Sequence, residues 1–144
     1  MTTGTATEKT LELQPYIFFY GKCAEALAFY KEALGGSYEM QTIGESPMAS
    51  QFPPETHHRI MHGSFSGSGI SFLASDGRET KDVDPDEGNI CLAIRATDAA
   101  TGERIFAALS EGGTVSMPIA DVPWGGRFGM FVDRYGIEWM MTLP

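Results

Sequence analysis

The sequence predicts an α+β fold in which two βαβββ modules follow one another and pack into a single unit. Three features carry that expectation. The order strand, helix, glycine stop, strands occurs twice, and a strongly charged segment separates the two occurrences. A chain of 144 residues suffices for one domain of ordinary size but not for two independently stable ones. Neither half can cover a sheet face alone, so the halves are expected to pair, and two curved sheets packed edge to edge enclose a cavity.

The first element is the run Leu11 to Phe19, where Tyr16, Ile17, Phe18 and Phe19 give the β-branched and aromatic density of a buried strand. From Cys23 to Leu34, the residues Ala26, Phe29, Tyr30, Ala33 and Leu34 recur on one helical face, and Gly35 and Gly36 stop the helix. A short strand over Ser37 to Thr42 comes next. The Pro-rich, polar stretch Gly44 to His57 is longer than a normal connection and suits a flap over a cavity or a dimer arm. Two strands, Ile60 to Phe65 and Ile70 to Ala74, flank the hairpin signal Gly67-Ser68-Gly69. Residues 77–87 are charged without a hydrophobic period and read as a solvated acidic linker.

The pattern then repeats. A strand over Asn89 to Arg95 leads to a helix capped by Asp98, with Ile105, Phe106 and Leu109 inward and Gly112-Gly113 as its stop. A strand over Thr114 to Met117, a Pro/Gly loop from Pro118 to Gly126, and strands over Phe128 to Val132 and Ile137 to Leu143 complete it, the last two joined by a tight turn at Asp133 to Gly136. The predicted domain spans 11–143, with module one at 11–76 and module two at 88–143. Residues 1–10 read as a disordered polar tail without the apolar stretch of a signal peptide.

Composition excludes several function classes. Apolar residues make up 42% of the chain and aromatic ones 11%, too much for a disordered protein. The net charge of −9 repels phosphate backbones and anionic bilayers, which argues against nucleic-acid and membrane partners. No apolar run approaches the roughly 20 residues of a membrane span, so a soluble, cytoplasmic protein is expected. Cys23 and Cys91 form no CxxC pair and are expected as free thiols. Cys23, near a helix start, suits a half-buried packing role better than that of a nucleophile.

Several motifs are familiar together. Pro15-Tyr16-Ile17-Phe18-Phe19, Cys23-Ala24-Glu25-Ala26 with Phe29-Tyr30, Ile60-Met61-His62, Ser75-Asp76, Trp124-Gly125-Gly126-Arg127-Phe128-Gly129 and Asp133-Arg134-Tyr135-Gly136-Ile137-Glu138-Trp139 resemble the PhnB-like branch of the vicinal oxygen chelate (glyoxalase/bleomycin-resistance/dioxygenase) superfamily. The resemblance covers roughly residues 11 to 143. It implies paired βαβββ modules forming a cup-shaped, partly open β-barrel, and a homodimer. Relatives in this branch are often described as demethylubiquinone methyltransferases. A methyl-donor nucleotide normally needs a Gly-rich turn between strand and helix, whereas here the first strand leads into Tyr20-Gly21-Lys22-Cys23. Methyltransfer is therefore not the expected activity.

Enzymes of the superfamily hold a metal that polarises two vicinal substrate oxygens. The resemblance carries those ligand positions onto Pro15 or Tyr16, Phe72 or Leu73, Asn89 or Ile90, and Trp139 or Met140. Divalent ions prefer imidazole, carboxylate or thiolate, so no metal and no other cofactor is expected. His58 and His62, on one strand face, stand about 13 Å apart at ~3.3 Å per residue, too far to share an ion. His57 and His58 read as solvated loop-end residues.

The expected cup lining is Phe18, Phe72, Asn89, Cys91 and Met140, with His62 as a hydrogen-bond donor or general base. Trp124, Arg127 and Phe128 are placed at the mouth to stack on a planar ligand or pair with its carboxylate; a loop-anchor role suits Trp124 and Arg127 equally. The expected function is metal-independent binding of an apolar or aromatic small molecule. Two rival readings remain at this stage. One is a lyase, isomerase or dioxygenase acting on a vicinal dioxygen substrate through a displaced metal site on His62 and Glu138. The other is sequestration of a cationic drug drawn in by the negative charge. Glu138 and Met140 share one strand face and Trp139 and Met141 the other, and the alternation does not fix which faces the cavity.

Overall fold

The computed structural model describes residues 11–67, 69–84 and 87–144. The expected tail at 1–10, Ser68 of the hairpin signal and Asp86 of the acidic segment lie outside the described residues. Module one comprises β1 (Tyr16–Phe18), α1 (Cys23–Leu34), β2 (Ser37–Thr42), β3 (Ile60–Gly67) and β4 (Ile70–Ser75). Module two comprises β5 (Leu92–Arg95), α2 (Ala99–Ser110), β6 (Thr114–Asp121), β7 (Arg127–Val132) and β8 (Glu138–Leu143). The two four-stranded sheets have matching orders, β1-β4-β3-β2 and β5-β8-β7-β6. In each, the first strand pairs in parallel with the last and the remaining pairs are antiparallel. The sheets are not closed into a barrel, and the α+β cup of paired βαβββ modules is the observed class.

Three element boundaries differ from the sequence expectation by three residues or more. β1 starts at Tyr16, not Leu11: Leu11 and Leu13 are 89% and 97% exposed, because nothing buries their side chains ahead of the β4 pairing. β5 starts at Leu92, so Asn89 and Cys91 precede the strand. β6 runs through Pro118 to Asp121 instead of ending at Met117; Pro is tolerated because β6 is an edge strand with register shifts against β7.

One apolar core spans both modules. Cys23, Ala26, Leu27, Tyr30 and Ala33 form the buried face of α1, and Phe106 and Leu109 that of α2. They meet Phe65 and Phe72 from the first sheet and Phe131, Trp139 and Met141 from the second. Phe65 and Phe72 stack at 5.1 Å, Phe131 and Trp139 at 6.2 Å, and Tyr30 lies edge-on to Phe72 at 5.8 Å.

The Asp133-Arg134-Tyr135-Gly136 turn is the joint between modules. Asp133, 2% exposed, accepts hydrogen bonds from Tyr30 Oη (2.5 Å), Trp139 Nε1 (2.9 Å) and the backbone N–H groups of Tyr135 (2.8 Å) and Ile137 (3.1 Å). Arg134 stacks 4.2 Å over the Phe29 ring and donates to the Glu111 carbonyl just past α2. Tyr135 Oη donates to Glu25 of α1 at 3.3 Å. Burial, then the Glu25 carboxylate, pushes the Tyr135 hydroxyl up to about 12. Gly136 adopts φ +83°, and a Cβ there would meet Val83, so glycine is required on both counts.

The acidic segment is strapped, not free. Arg59 donates to the carbonyls of Asp76, Gly77 and Glu79 and to Thr80 Oγ1. Lys22 pairs with Asp82, and Lys81 sits 4.5 Å over the Tyr20 ring. The residues are charged and largely exposed as expected, but one guanidinium fixes where their backbone runs.

The 44–57 segment is likewise closed on itself. Gly44 N–H donates to the His57 carbonyl at 3.0 Å, and two 3₁₀ turns, Ala49–Gln51 and Pro54–Thr56, fill the interior. His57 is half-buried, and its Nε2 lies 2.9 Å and 3.1 Å from the carbonyl oxygens of Ala49 and Phe52. Both partners are acceptors, so Nε2 carries the proton and donates. The solvated reading of His57 is thus corrected, while His58 is exposed. A segment tied at its base in this way resembles a compact Ω-loop more than an open flap.

Candidate functional site

Each sheet has one face against the helices and one open face. On the first sheet, strand register aligns Glu39, Ser64, Leu73 and Tyr16 in one open-face row. The adjacent row holds Gln41 beside His62, and Ser75 beside Phe18. Tyr16 and Phe18 are 43% and 50% exposed although both are large and aromatic. Their rings lie 5.3 Å apart, the His62 ring lies 6.0 Å from Tyr16, and Tyr20 extends the stripe 6.3 Å beyond Phe18. Beside the stripe, a shallow cavity of about 590 Å³ is lined by Glu39, Met40, Gln41, His62 and Ser64. Gln14 donates to Ser71 at the neighbouring position of the face.

On the second sheet, the open-face rows are Ala93, Met140, Met130 and Met117, then Arg95, Thr142, Phe128 and Ala120. Glu138 pairs with Val132 in the row on the other side. The alternation left open by the sequence is now resolved: Trp139 and Met141 are buried against the helices, and Glu138 and Met140 are half-buried on the open face.

Several expected lining residues lie elsewhere. Phe72 is 2% exposed and belongs to the core, because the register puts Leu73, not Phe72, in the Tyr16 row. Asn89 is an exposed residue ahead of β5. Arg127 pairs through Nη1 with Glu103 of α2 at 3.1 Å, on the helix side of β7 and not on the open face. Trp124 is 80% exposed in the β6–β7 turn, beside Gly125 and Gly126 at φ +101° and +75°. Phe18, His62, Phe128 and Met140 lie on open faces, and Cys91 is half-buried just before β5. His62 and Glu138 fall on the open faces of different sheets, whose other faces share the core; one chain therefore does not bring them together.

Sequence reasoning missed Tyr16 as a lining residue. The signal was present in the alternation Tyr16-Ile17-Phe18, which puts Tyr16 and Phe18 on one face.

The metal positions carried over by family resemblance fare no better in three dimensions. Tyr16, Leu73 and Met140 occupy the open faces and Ile90 is 83% exposed. A phenol, two apolar side chains and a thioether do not make a site for a hard divalent ion. Among the described residues no three His, Cys, Asp or Glu side chains converge. Cys23 is fully buried, and burial, reinforced by the Asp76 carboxylate, pushes its thiol up to about 12, which removes it as a nucleophile. Asp76 accepts from Cys23 N–H (2.8 Å) and Ile60 N–H (2.7 Å), so the α1 N-terminus already holds an anion. No helix is long and apolar enough to cross a membrane among the described residues.

The family profile described as 3-demethylubiquinone-9 3-methyltransferase matches residues 11–142. Protein PA1353 from Pseudomonas aeruginosa is 33% identical, with a TM-score of 0.79 over 93% of this chain and 98% of that one. A putative 3-demethylubiquinone-9 3-methyltransferase, PhnB protein, from Bacillus cereus is 23% identical, with a TM-score of 0.71 over 93% and 100%. A member of the glyoxalase/bleomycin resistance protein/dioxygenase superfamily from Sphaerobacter thermophilus is 18% identical, with a TM-score of 0.55 over 94% and 100%.

Proposed function

The chain belongs to the 3-demethylubiquinone-9 3-methyltransferase-like, PhnB-like family of the glyoxalase/bleomycin-resistance/dioxygenase fold, and from that premise we propose that it binds an aromatic small molecule without a divalent metal. The observation that carries this reading is the half-exposed stripe of Tyr16, Phe18 and His62 on the open face of the first sheet. Leaving two large rings half in water forgoes about 0.7–1.5 kcal/mol of burial per side chain, and a stacked planar ligand recovers it. His62, Gln41 and Ser64 border the adjacent cavity and supply the few polar groups that orient such a ligand.

A homodimer fits the same reading. Tyr16, Phe18 and Met117 are 43%, 50% and 47% exposed on the open faces of the two sheets, so a second copy can supply the opposite wall of a cup, with Phe128 and Met140 on that wall. The family's methyltransferase description finds no support in the strand-to-helix turn, where the Asp76 carboxylate occupies the helix N-terminus.

The test is thermal-shift screening of aromatic acids, phenols and planar heterocycles with the metal-stripped protein, because a ligand of the native state must raise the unfolding midpoint. The expected hit stabilises wild type but not Phe18→Ala, and chelator leaves its effect unchanged. A hit that requires an added divalent ion overturns the metal-independent reading. A hit indifferent to Phe18 and Tyr16 overturns the placement.

A further inference from the structure

We infer that the open face of the second sheet holds a soft monovalent metal ion, of the Cu(I) and Ag(I) class, on the thioether sulfurs of Met117, Met130 and Met140. This goes beyond the ligand reading and stands on the other sheet, sharing with that reading only Met140 on the wall that a second copy supplies. Register pairs Met117 with Met130 and Met130 with Met140, placing three methionines side by side on three adjacent strands. They face away from the core: Gly129, Phe131, Trp139 and Met141, which alternate with Met130 and Met140, are buried, while Met117 is 47% exposed.

Adjacent strands lie about 4.8 Å apart and directly opposed Cβ atoms about 4.5–5.5 Å apart. Each methionine has three rotatable side-chain bonds before its methyl, so three sulfurs can converge above the central Met130. Ala93 closes the row beyond Met140 with a side chain too small to obstruct that convergence.

Thioethers are soft donors that select Cu(I) over hard ions. That separates this row from the divalent site, for which the superfamily's positions do not fit. Glu138 lies two residues along β8 from Met140 on the same face, and the chain carries a net charge of −9, so the field favours a cation. Thioethers do not protonate in the ordinary pH range, whereas imidazole and thiolate ligands do. Binding through this row therefore persists at pH 5.

The experiment titrates Ag(I), as the nitrate in chloride-free and thiol-free buffer, into full-length protein carrying Cys91→Ser, which removes the half-buried thiol just before β5. Calorimetry is expected to show one saturable equivalent per chain with similar affinity at pH 7 and pH 5. In methyl-labelled protein, three methionine methyl resonances should move while those of Met40, Met48, Met61 and Met141 stay. Met130→Leu keeps an apolar side chain of similar volume and should weaken binding at least 10-fold. The triple Leu variant should weaken it at least 100-fold. Should that variant fold poorly, Met117→Leu at the exposed edge gives the same direction alone. Absence of saturable binding, loss of binding at pH 5, unchanged affinity in Met130→Leu, or movement of the other methyls overturns the assignment. The aromatic-ligand screen reads Phe18 and Tyr16 on the first sheet, so failure of either idea leaves the other measurable.

Discussion

Replacing Asp133 with Asn tests whether the turn between β7 and β8 is what binds the two modules into one cooperative unit. The carboxylate takes four donors, two at Oδ1 from backbone N–H groups and two at Oδ2 from Tyr30 and Trp139. Asn offers one oxygen and one NH₂ in the same space: with the NH₂ at the Oδ1 side two backbone N–H groups face a donor, and with it at the Oδ2 side the Trp139 N–H does while the Tyr30 hydroxyl turns to accept, and in both the remaining bonds lose their charged acceptor. Hydrogen bonds to a charged acceptor contribute about 1.5–3 kcal/mol each, and the site is 2% exposed, so water does not replace them. The expected loss is about 3–5 kcal/mol. At about 3–4 °C per kcal/mol for a domain of this size, the unfolding midpoint should fall by about 9–20 °C. Urea unfolding followed by Trp fluorescence measures the loss. A double-mutant cycle with Tyr30→Phe isolates the link between modules, with an expected coupling of about 1 kcal/mol or more. A loss below about 1 kcal/mol for Asp133→Asn, or additive behaviour with Tyr30→Phe, refutes the latch.

Two further outcomes follow from buried and capping groups. The Cys23 thiol stands at about 12 in the fold against an ordinary value of 9.0, so the unfolded chain releases this proton first. Stability from this group is intact below pH 9 and is lost as pH rises from 9 toward 12, at about 1.4 kcal/mol per unit; Cys23→Ala should flatten the loss between pH 9 and 10. Asp98 caps α2 by accepting from Thr101 N–H at 2.8 Å and from Thr101 Oγ1 at 2.7 Å. Asp98→Ala should therefore cost about 1 kcal/mol in chemical denaturation.

The parts of the fold legible in the sequence were those with a local physical signature. The α1 face shows 3.6-residue spacing and a double-glycine stop, and α2 has Asp98 at its start, so both helices were placed to within a residue. The module repeat was legible because the same order of signals recurs. Side-chain facing was not, because a strand read alone has no marker for which of two alternating sets points inward. Phe72 and Leu73 are both apolar, and only pairing with Tyr16 decides between them. For Arg127 a ligand-facing role and an anchoring ion pair were equally open, because its partner, Glu103, lies on a helix far away in sequence. The Asp133-Arg134-Tyr135-Gly136 motif, which helped carry the resemblance, serves as the mechanical joint of the domain and not as part of the open-face site.

The matched strand order of the two halves has an evolutionary consequence. One scaffold, used twice, is dressed with rings on one wall and with sulfur on the other, and the two decorations sit on hydrogen-bonded frameworks that share only their backs. Substitution on one wall leaves the strand pairing of the other untouched, so the lining of a cup built from both walls can change by half of its surface at a time.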